Sequence, residues 1–425
     1  MPDNKTALLS FLTHKNTHTK LMKQIKILFA SALILSLAMS TPIQAQNGRT
    51  TGQNQNYIST GMPILLISPD AIASSLGDAG VASRPDSYSA HWNNAKFAFI
   101  DGNLGFSTTY TPWLRHLGVG DMNLLYLGGY YRINSRSTAA ASLTYFSLGE
   151  IQSTDVEGNP LGTMNPNEFA FDLTYAMKLN DELSLGATGR FIQSDLTNGQ
   201  ILSDGSSYVT TKPARSLAAD IGLYWQHPID NSQDLALGAF ISNMGAKLSY
   251  SDDDTKKEFL PTNMRIGGRY TNRIDDANEI TLLLDLNKLL VPTPPTTIGD
   301  ETYSDYYPNK TAYYQTGVMR GAIQSFYDAP GGFTEELHEI QISTGIEYWY
   351  KQTLAARAGY FFEHDTKGGR QYATVGFGLR YDIMQFDLAY LVPTTSFSSN
   401  PLTNTIRISL TINLRRSKTT PIINS

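Results

Sequence analysis

Long segments in which apolar and polar residues alternate constrain the fold of this chain more than any other feature of its sequence. In the segment 405–415 nearly every second residue is apolar and the residues between are polar. The apolar ones are Ile406, Ile408, Leu410, Ile412 and Leu414. Because successive side chains of a β-strand point to opposite faces, this segment predicts a strand with one apolar and one polar face.

Comparable segments recur without interruption from about residue 103 to residue 416. They are 103–112, 122–132, 136–149, 167–179, 182–196, 215–227, 233–244, 261–273, 277–291, 337–351, 353–364, 372–382, 384–392 and 405–415. Globular strands usually have about five or six residues, whereas a tilted strand that crosses a membrane needs about nine to eleven. The lengths therefore predict an all-β protein, an antiparallel transmembrane β-barrel of about fourteen strands over 103–416.

The joins between the predicted strands alternate between short and long. Short joins lie at 133–136, 180–181 and 273–277, and long ones include 150–167 and 292–336. Short periplasmic turns and longer extracellular loops are typical of outer-membrane barrels. An even strand number with this phase predicts that both termini lie on the periplasmic side.

Aromatic residues are frequent towards the ends of the predicted strands. They are Trp113, Tyr130, Tyr131, Tyr175, Trp225, Tyr348, Trp349, Tyr350 and Tyr381. Tyr and Trp are enriched where a barrel meets the membrane–water interface. Their joint placement predicts interfacial girdles.

Residues 1–45 have the features of an export leader. Lys23 and Lys26 precede the apolar stretch 27–39, and Ala45 is a small residue at a suitable cleavage position. This is the pattern of a secretory signal peptide, with Met22 as the expected start. The polar residues that follow predict a flexible linker over 46–68, and 417–425 is expected to be a C-terminal tail.

Charge and cysteine content exclude several classes of function. Removing residues 1–45 takes away five lysines and one aspartate, so the formal net charge falls from −5 to −9. A chain this acidic disfavours nucleic acid as a partner. The absence of cysteine excludes a disulfide framework, a thiolate nucleophile and a thiolate metal site.

Residues 69–100 interrupt the strand pattern before it begins. Ile72 and Leu76 have helical spacing, and Gly77 and Gly80 then break the helix in a turn of small residues. We expect a plug or latch over 69–102 that enters from the periplasm and fills the barrel mouth. Its expected lumen residues are Gly77, Gly80, His91, Trp92, Asn93 and Asn94.

The polar faces of the predicted strands carry charges of both signs. These residues are Asp172, Arg190, Asp220, Arg265, Arg269, Glu347, Arg357, Arg380, Asp387 and Arg407. Mixed charges in an enclosed lumen are expected to pair with one another and with water. A pore lining is the alternative, but a selectivity ring would carry one sign.

The join 292–336 is the most unusual loop. Loops beyond about 15 residues are usually functional or disordered, and clustered aromatic residues argue against disorder. The aromatic residues are Tyr303, Tyr306, Tyr307, Tyr313, Tyr314, Phe326, Tyr327 and Phe333. Protein contact and self-packing over the barrel mouth are both consistent with such a loop.

Two runs carry a family resemblance. The run AIASSLGDAGVA at 71–82, with HWNNAKFAF at 91–99, resembles the FadL-like outer-membrane barrels and, more closely, the PorV family of the Bacteroidota type IX secretion system. The resemblance extends over essentially the whole mature chain. One departure is the C-terminus, where a tail follows Leu414 although many outer-membrane barrels end on an aromatic residue.

The resemblance implies a non-enzymatic role without a cofactor. Members of the family accept secreted cargo with a C-terminal signal domain from the translocon barrel. They pass it to a sortase-like surface attachment component, in contact with outer-membrane lipid. By this resemblance the chain is expected to do the same.

Two other functions compete with this interpretation. One is a FadL-like transporter of small hydrophobic molecules, in which the plug would hold a ligand. The other is a lipid-modifying enzyme, which the sequence disfavours because it contains no Gly-x-Ser-x-Gly elbow.

Overall fold

The structure is a computed structural model, and it describes residues 57–113, 121–154, 160–197, 201–203, 208–251, 257–298, 301–303, 310–394 and 405–414. The predicted leader 1–45 and tail 417–425 lie outside the described residues. None of the helices in these ranges combines the length and apolar character that a membrane-crossing helix needs.

Fourteen long strands in the described ranges form one closed antiparallel barrel. They are β1 (Leu104–Pro112), β2 (Asn123–Arg132), β3 (Ser137–Ser147), β4 (Asn167–Lys178), β5 (Leu183–Asp195), β6 (Ala214–Pro228), β7 (Gln233–Gly245), β8 (Asn263–Arg273), β9 (Asn278–Leu289), β10 (Ile340–Tyr350), β11 (Leu354–Phe362), β12 (Gln371–Tyr381), β13 (Met384–Pro393) and β14 (Ile406–Leu414). Each strand pairs with its neighbours in chain order, and β14 pairs with β1.

Closure gives each strand of the sheet a hydrogen-bonded neighbour on both sides. Leu104 of β1 lies opposite Leu414 of β14, and the pairing continues to Tyr110 opposite Ile408. An open edge in lipid would leave amides and carbonyls without partners, at several kcal/mol each. The barrel has no such edge.

The predicted strands coincide with the observed ones, and the described ends differ by at most three residues. The largest difference is at the predicted start of 337–351, where a helix at Phe333–His338 delays the strand to Ile340. The sequence also missed three two-stranded hairpins in the long loops. Their strands are Ile151–Thr154 with Pro160–Met164, Ile201–Ser203 with Tyr208–Thr210, and Thr296–Ile298 with Glu301–Tyr303.

Alternation sets the two faces of the barrel wall. In β6 the side chains of Leu217, Ile221 and Leu223 are exposed on the outside, while Ser216 and Asp220 are buried inside. The other strands repeat this arrangement, with exposed apolar side chains outside and polar side chains inside. The outer face is thus suited to lipid and the lumen to polar contacts.

The predicted aromatic girdles are only partly right. Tyr131, Tyr348 and Tyr350 are exposed on the outer face, but Tyr130 and Trp349 are buried in the lumen. Trp113 is buried as well. Adjacent residues of a strand point to opposite faces, so a run such as Tyr348 to Tyr350 cannot lie wholly on the outside.

The described ranges also contain five short α-helices, which are not part of the strands of the barrel wall. They are α1 (Ala71–Ser74), α2 (Ser89–Trp92), α3 (Lys310–Gln315), α4 (Val318–Gln324) and α5 (Phe333–His338). The first two belong to residues 57–100, here called the N-terminal segment, and the others to the loop between β9 and β10, here called the aromatic loop. Asp70 caps α1 because its Oδ1 accepts a hydrogen bond from the Ala73 amide at 2.8 Å.

The N-terminal segment runs through the lumen from one end of the barrel to the other. At the end that carries the long loops, Gly61 N donates to the Phe259 carbonyl at 2.9 Å. Halfway down, Ala71 N donates to Ser409 Oγ at 2.9 Å. At the end that carries the short turns, Phe97 packs against Tyr130. These ends are called the long-loop end and the short-turn end below.

This course departs from one expectation. The described chain begins, at Tyr57, at the long-loop end, whereas the sequence placed the entry of the plug at the short-turn end. The predicted N-terminus itself lies outside the described residues. Leu414, at the close of β14, does lie at the short-turn end beside Leu104. The strand count locates only the start of β1, and it says nothing about the path of the chain before that strand.

The second half of the predicted linker 46–68 is packed. Residues Pro63–Leu66 form a 3-10 helix, and Met62, Ile64 and Leu65 are buried with Trp113 and other apolar side chains of the long-loop end. These three apolar residues explain the difference, since burial of each contributes about 1.5–3 kcal/mol. The packed structure thus begins before residue 69.

Candidate functional site

Inward-facing glycines make room for the N-terminal segment. They are Gly186, Gly222, Gly238, Gly267, Gly345, Gly359 and Gly376, and a Cβ added at any of them would collide with residues 75–95 or with a strand residue beside them. Glycine in a strand often marks the close approach of another backbone. That signal was present in the sequence, and it would have identified the strands that face the segment.

Gly77 lies at the closest of these contacts. Its φ is +66°, which favours glycine, and its amide donates to Thr374 Oγ1 at 2.9 Å. A side chain at Gly77 would also meet the backbone of Tyr360. The turn after α1 is therefore possible only with glycine at this position.

Gly80 and Trp92 belong to one packed unit. The amides of Gly80 and Val81 both donate to Asp285 Oδ2, at 2.6 and 2.8 Å. The Trp92 ring covers Gly80, and its Nε1 donates to Asp70 Oδ2 at 2.6 Å. Asp285 thus connects β9 to the turn at Gly80, and Trp92 connects that turn to the residue that caps α1.

His91 and Trp92 also meet β8. Arg265 lies over the Trp92 ring, 4.8 Å from its centroid, and Arg265 Nη1 donates to the His91 carbonyl at 3.1 Å. The His91 ring packs edge-on against Trp92. His91 therefore contributes mainly through its backbone and its ring face.

Asn93 and Asn94 bind the wall at β5 and β6. Asn93 Nδ2 donates to the carbonyls of Val81 and Leu223, at 3.1 and 3.0 Å. Asn94 Nδ2 donates to Thr188 Oγ1 at 2.9 Å. Both amides thus bind groups in the lumen.

Most of the lumen charges form ion pairs. Arg190 bridges Asp172 at 2.6 Å and Asp220 at 3.0 Å, and all three side chains are buried. Arg357 bridges Glu347 at 2.6 Å and Asp387 at 2.8 Å in the same way. The pairing expected from the mixed signs is therefore present.

Within the described part of the chain, three lumen arginines have no carboxylate at salt-bridge distance. Arg265 uses the carbonyl of His91 and the ring of Trp92. Arg380 donates to Gln385 at 2.9–3.0 Å and lies over the Trp349 ring. Arg407 is only 2% exposed, and its Nε and Nη1 have no hydrogen-bond partner in the described structure.

The aromatic loop exposes apolar side chains on α4, on α5 and just after α4. They are Met319, Ile323, Phe326, Tyr327, Phe333 and Leu337, here called the apolar loop surface. Met319 is 65% exposed and Phe333 is 78% exposed. The pairs Met319 with Ile323 and Phe333 with Leu337 are four residues apart, so each pair shares one helix face. The sequence analysis considered only the aromatic residues of this loop and therefore missed Met319, Ile323 and Leu337.

The structure separates the eight predicted loop aromatics. Phe326, Tyr327 and Phe333 are exposed, whereas Tyr313 is 5% exposed and packs against Phe259. Tyr314 is half-buried. Tyr303 lies in a hairpin strand, and Tyr306 and Tyr307 fall outside the described residues. The Tyr313 ring, predicted as a contact residue, is thus buried against the join between β7 and β8.

Buried ion pairs hold α5 onto the barrel. Lys288 contacts Glu336 at 3.0 Å and Glu339 at 2.6 Å, and Lys367 contacts Glu335 at 2.6 Å and Glu339 at 2.9 Å. Lys288 belongs to β9, while Lys367 lies in the join after β11. This ionic cluster connects the loop to β9 of the wall and to the join after β11.

Asp328 provides another attachment of the aromatic loop. Its Oδ2 accepts a hydrogen bond from Thr293 N at 3.1 Å. Burial raises the pKa of Asp328 to about 7, and the nearby Glu339 and Glu336 add to the shift. The carboxyl is consequently partly protonated near neutral pH.

A cavity of about 680 Å³ lies at the short-turn end. Its wall combines apolar side chains such as Leu283 and Phe99 with Arg269 and Arg380. Arg269 is paired with Asp234 at 2.5 Å. In the described ranges, no group of three or more potential ligand side chains is placed to hold a metal ion.

The closed wall, the apolar outer face and the polar lumen define an outer-membrane β-barrel protein. The family model "Type IX secretion system protein PorV" matches residues 50–296, which is more than half of the chain. The chain belongs to the PorV family of type IX secretion system proteins. Membership points to a non-enzymatic component of transport and secretion.

Comparison with curated proteins gives no match at a significant level. Among solved structures, the toluene transporter TodX of P. putida is 11% identical, covers 82% of this chain and 99% of its own, and has a TM-score of 0.45. The toluene transporter TbuX of Ralstonia pickettii is 10% identical, with 80% and 96% coverage and a TM-score of 0.45. A FadL homologue of Pseudomonas aeruginosa is 12% identical, with 85% and 100% coverage and a TM-score of 0.40.

Proposed function

We propose that this barrel is an adaptor of type IX secretion. It accepts secreted proteins that carry a C-terminal signal domain from the translocon barrel and delivers them to the sortase-like surface attachment component. The long loops face the cell exterior, and the N-terminal segment seals the lumen.

The apolar loop surface is the observation that carries this proposal. Soluble parts of monomeric proteins rarely expose large apolar side chains together, and where they do, the surface is often a binding site. Phe333 and Met319 are exposed on a loop outside the barrel wall. Their burial by a protein partner would remove apolar area from water.

The attachment of the loop supports the same role. Lys288 and Lys367 hold α5 through three glutamates, so Phe333 and Leu337 sit on a helix fixed to the wall. A binding surface that is ordered before the partner arrives loses less conformational entropy on binding. The proposal thus assigns a recognition role to the surface and a positioning role to the ionic cluster.

The passage of the N-terminal segment through the lumen favours an adaptor over a conduit. Residues such as Leu76, Val81 and Trp92 are buried between facing parts of the wall. A transporter of small hydrophobic molecules would need a path past them. Bound fatty acid in the purified protein, together with normal secretion in a deletion strain, would favour the transporter instead.

The test compares two loop variants of the tagged protein purified in detergent. One variant combines Met319→Ser, Ile323→Ser, Phe333→Ser and Leu337→Ser. The matched control combines Thr311→Ser, Gln315→Ser, Arg320→Ser and Thr334→Ser, which are exposed positions of the same loop. We expect at least a tenfold loss of co-purified cargo or translocon in the first variant alone, with equal barrel assembly. Equal recovery with both variants would contradict the proposal.

A further inference from the structure

Asp328 lies between the two helices that carry most of the apolar loop surface. The helix α4 ends at Gln324 and α5 begins at Phe333, so the residues that connect them set how the two helices lie relative to each other. Asp328 is 3% exposed, and its Oδ2 accepts a hydrogen bond from the Thr293 amide, just after β9. This contact attaches the connection to the chain that leaves the barrel wall.

The environment of the Asp328 carboxyl suits its protonated form. Oδ1 is buried and has no hydrogen-bond partner within the described part of the chain. In the same ranges no lysine or arginine lies at salt-bridge distance from this carboxyl. A buried carboxylate without a cation is unfavourable, whereas a buried neutral carboxyl is tolerated far better.

The charges packed around Asp328 already have an excess of carboxylates. The ion pairs that hold α5 involve three glutamates and two lysines. They are Glu335, Glu336, Glu339, Lys288 and Lys367. Glu336 and Glu339 are close enough to raise the pKa of Asp328 further, in addition to its burial. An ionised Asp328 would therefore be a fourth carboxylate beside two cations.

A pair of histidines also faces this part of the loop. The His338 ring of α5 stacks on the His364 ring of the join after β11, with 3.5 Å between the ring centroids. Burial and the neighbouring His338 lower the pKa of His364, and Lys367 acts in the same direction against Asp365. His364 is therefore neutral at pH 7, where Asp328 is partly ionised.

We infer that Asp328 is a pH-sensitive switch of the aromatic loop. Its protonated form holds the connection between α4 and α5 against the chain after β9, and its ionised form releases this connection to water. Lys288 and Lys367 keep α5 attached in both forms, so release changes the position of α4 relative to α5. The switch is a property of the loop itself, whichever partner the loop binds.

The direction of the pH effect follows from the raised pKa. Asp328 has a pKa of about 7 in the attached loop, against 3.8 for an ordinary aspartate, so the attached loop binds the proton more tightly. The resulting stabilisation of the attached loop is complete below pH 3.8, falls as the pH rises, and is lost above about pH 7. From about pH 6 to pH 8.5, this linkage predicts a rise of roughly tenfold in the released fraction.

The absence of cysteine allows release to be measured with a single introduced thiol. Ser325→Cys places it at a fully buried position near Asp328, and Thr334→Cys places it at an exposed position of α5. Each is combined with the native Asp328 and with Asp328→Asn, whose amide is uncharged at every pH. The rate of maleimide labelling of Ser325→Cys in detergent is divided by that of Thr334→Cys, which removes the pH dependence of the thiol.

We expect this ratio to rise roughly tenfold between about pH 6 and pH 8.5 with the native Asp328, and less than about twofold with Asp328→Asn. A constant ratio with the native residue, or the same rise with both, overturns the switch. If Ser325→Cys does not assemble, hydrogen exchange of residues 325–332 at pH 8.5 compares the cysteine-free protein with Asp328→Asn. Faster exchange with the native residue is expected, and equal exchange overturns the switch. Neither measurement involves cargo, so a failure of the adaptor role is detected separately.

Discussion

Single side chains in the lumen differ in whether their charge is compensated. Arg190 is buried between two carboxylates, and removal of its charge would leave Asp172 and Asp220 facing each other at low dielectric. Breaking a buried ion pair by removing one partner costs about 3–5 kcal/mol. Among the residues that the structure describes, no carboxylate pairs with Arg407, so its removal leaves no carboxylate without a cation. Burial of an uncompensated charge is itself unfavourable.

These two arginines give a matched prediction. Arg190→Met should lower the free energy of unfolding in detergent or lipid by about 3–5 kcal/mol, because two carboxylates lose their cation. Arg407→Met should leave the stability unchanged or raise it. Urea titration of the folded fraction, read from gel migration, measures both. Equal destabilisation by the two substitutions would mean that Arg407 has an essential partner in the lumen.

At the scale of elements, the barrel wall and the N-terminal segment are complementary in shape. The backbone of Leu76 and Gly77 passes directly over Gly359 of β11, so any side chain at Gly359 would occupy the same space. Gly189 of β5 offers a contrast, because a Cβ at that position meets nothing within 4 Å. Substitution of Gly189 thus tests the loss of a strand glycine alone, whereas substitution of Gly359 also disturbs the contact with the N-terminal segment.

Gly359→Ala should prevent the N-terminal segment from seating, while Gly189→Ala should not. Lys96 is fully buried in the native segment, so trypsin cannot reach it. We expect cleavage after Lys96 in purified Gly359→Ala protein and resistance in Gly189→Ala and in the native protein. Resistance of Gly359→Ala equal to that of the control would show that the wall moves to accommodate the methyl group.

At the scale of the whole molecule, closure couples all fourteen strands. The barrel is completed by β1 and β14, whose residues lie more than 290 positions apart along the chain. Loss of any strand therefore opens the ring and exposes two unpaired edges to lipid. This predicts cooperative unfolding of the wall.

Closure also predicts heat-modifiable migration on gels. Unheated protein in detergent should keep its barrel and migrate differently from the heated, unfolded chain. Truncation before Thr405, which removes β14, should abolish the difference because the ring cannot close. If the intact protein migrates identically with and without heating, the barrel is not closed in detergent.

The sequence by itself determined the wall of this protein. Alternation in segments such as 405–415 and 215–227 sets which residues face lipid, because side-chain direction in a strand is a local property. Segment length then fits the thickness of the membrane, and the alternation of short and long joins fits the two ends of an outer-membrane barrel. Strand number, neighbours and closure could all be predicted in this way, as could the mixed charges of the lumen.

Only the tertiary structure decided what lies inside the wall and what the loop exposes. Whether Tyr313 is buried and Phe333 exposed depends on Phe259 and Lys288, which lie tens of residues away along the chain. The pairing of Arg190 with Asp172 of β4 and Asp220 of β6 depends on the register between neighbouring strands, which alternation alone does not set. The direction of the N-terminal segment likewise depends on contacts with most of the wall, and no local pattern in residues 57–100 encodes it.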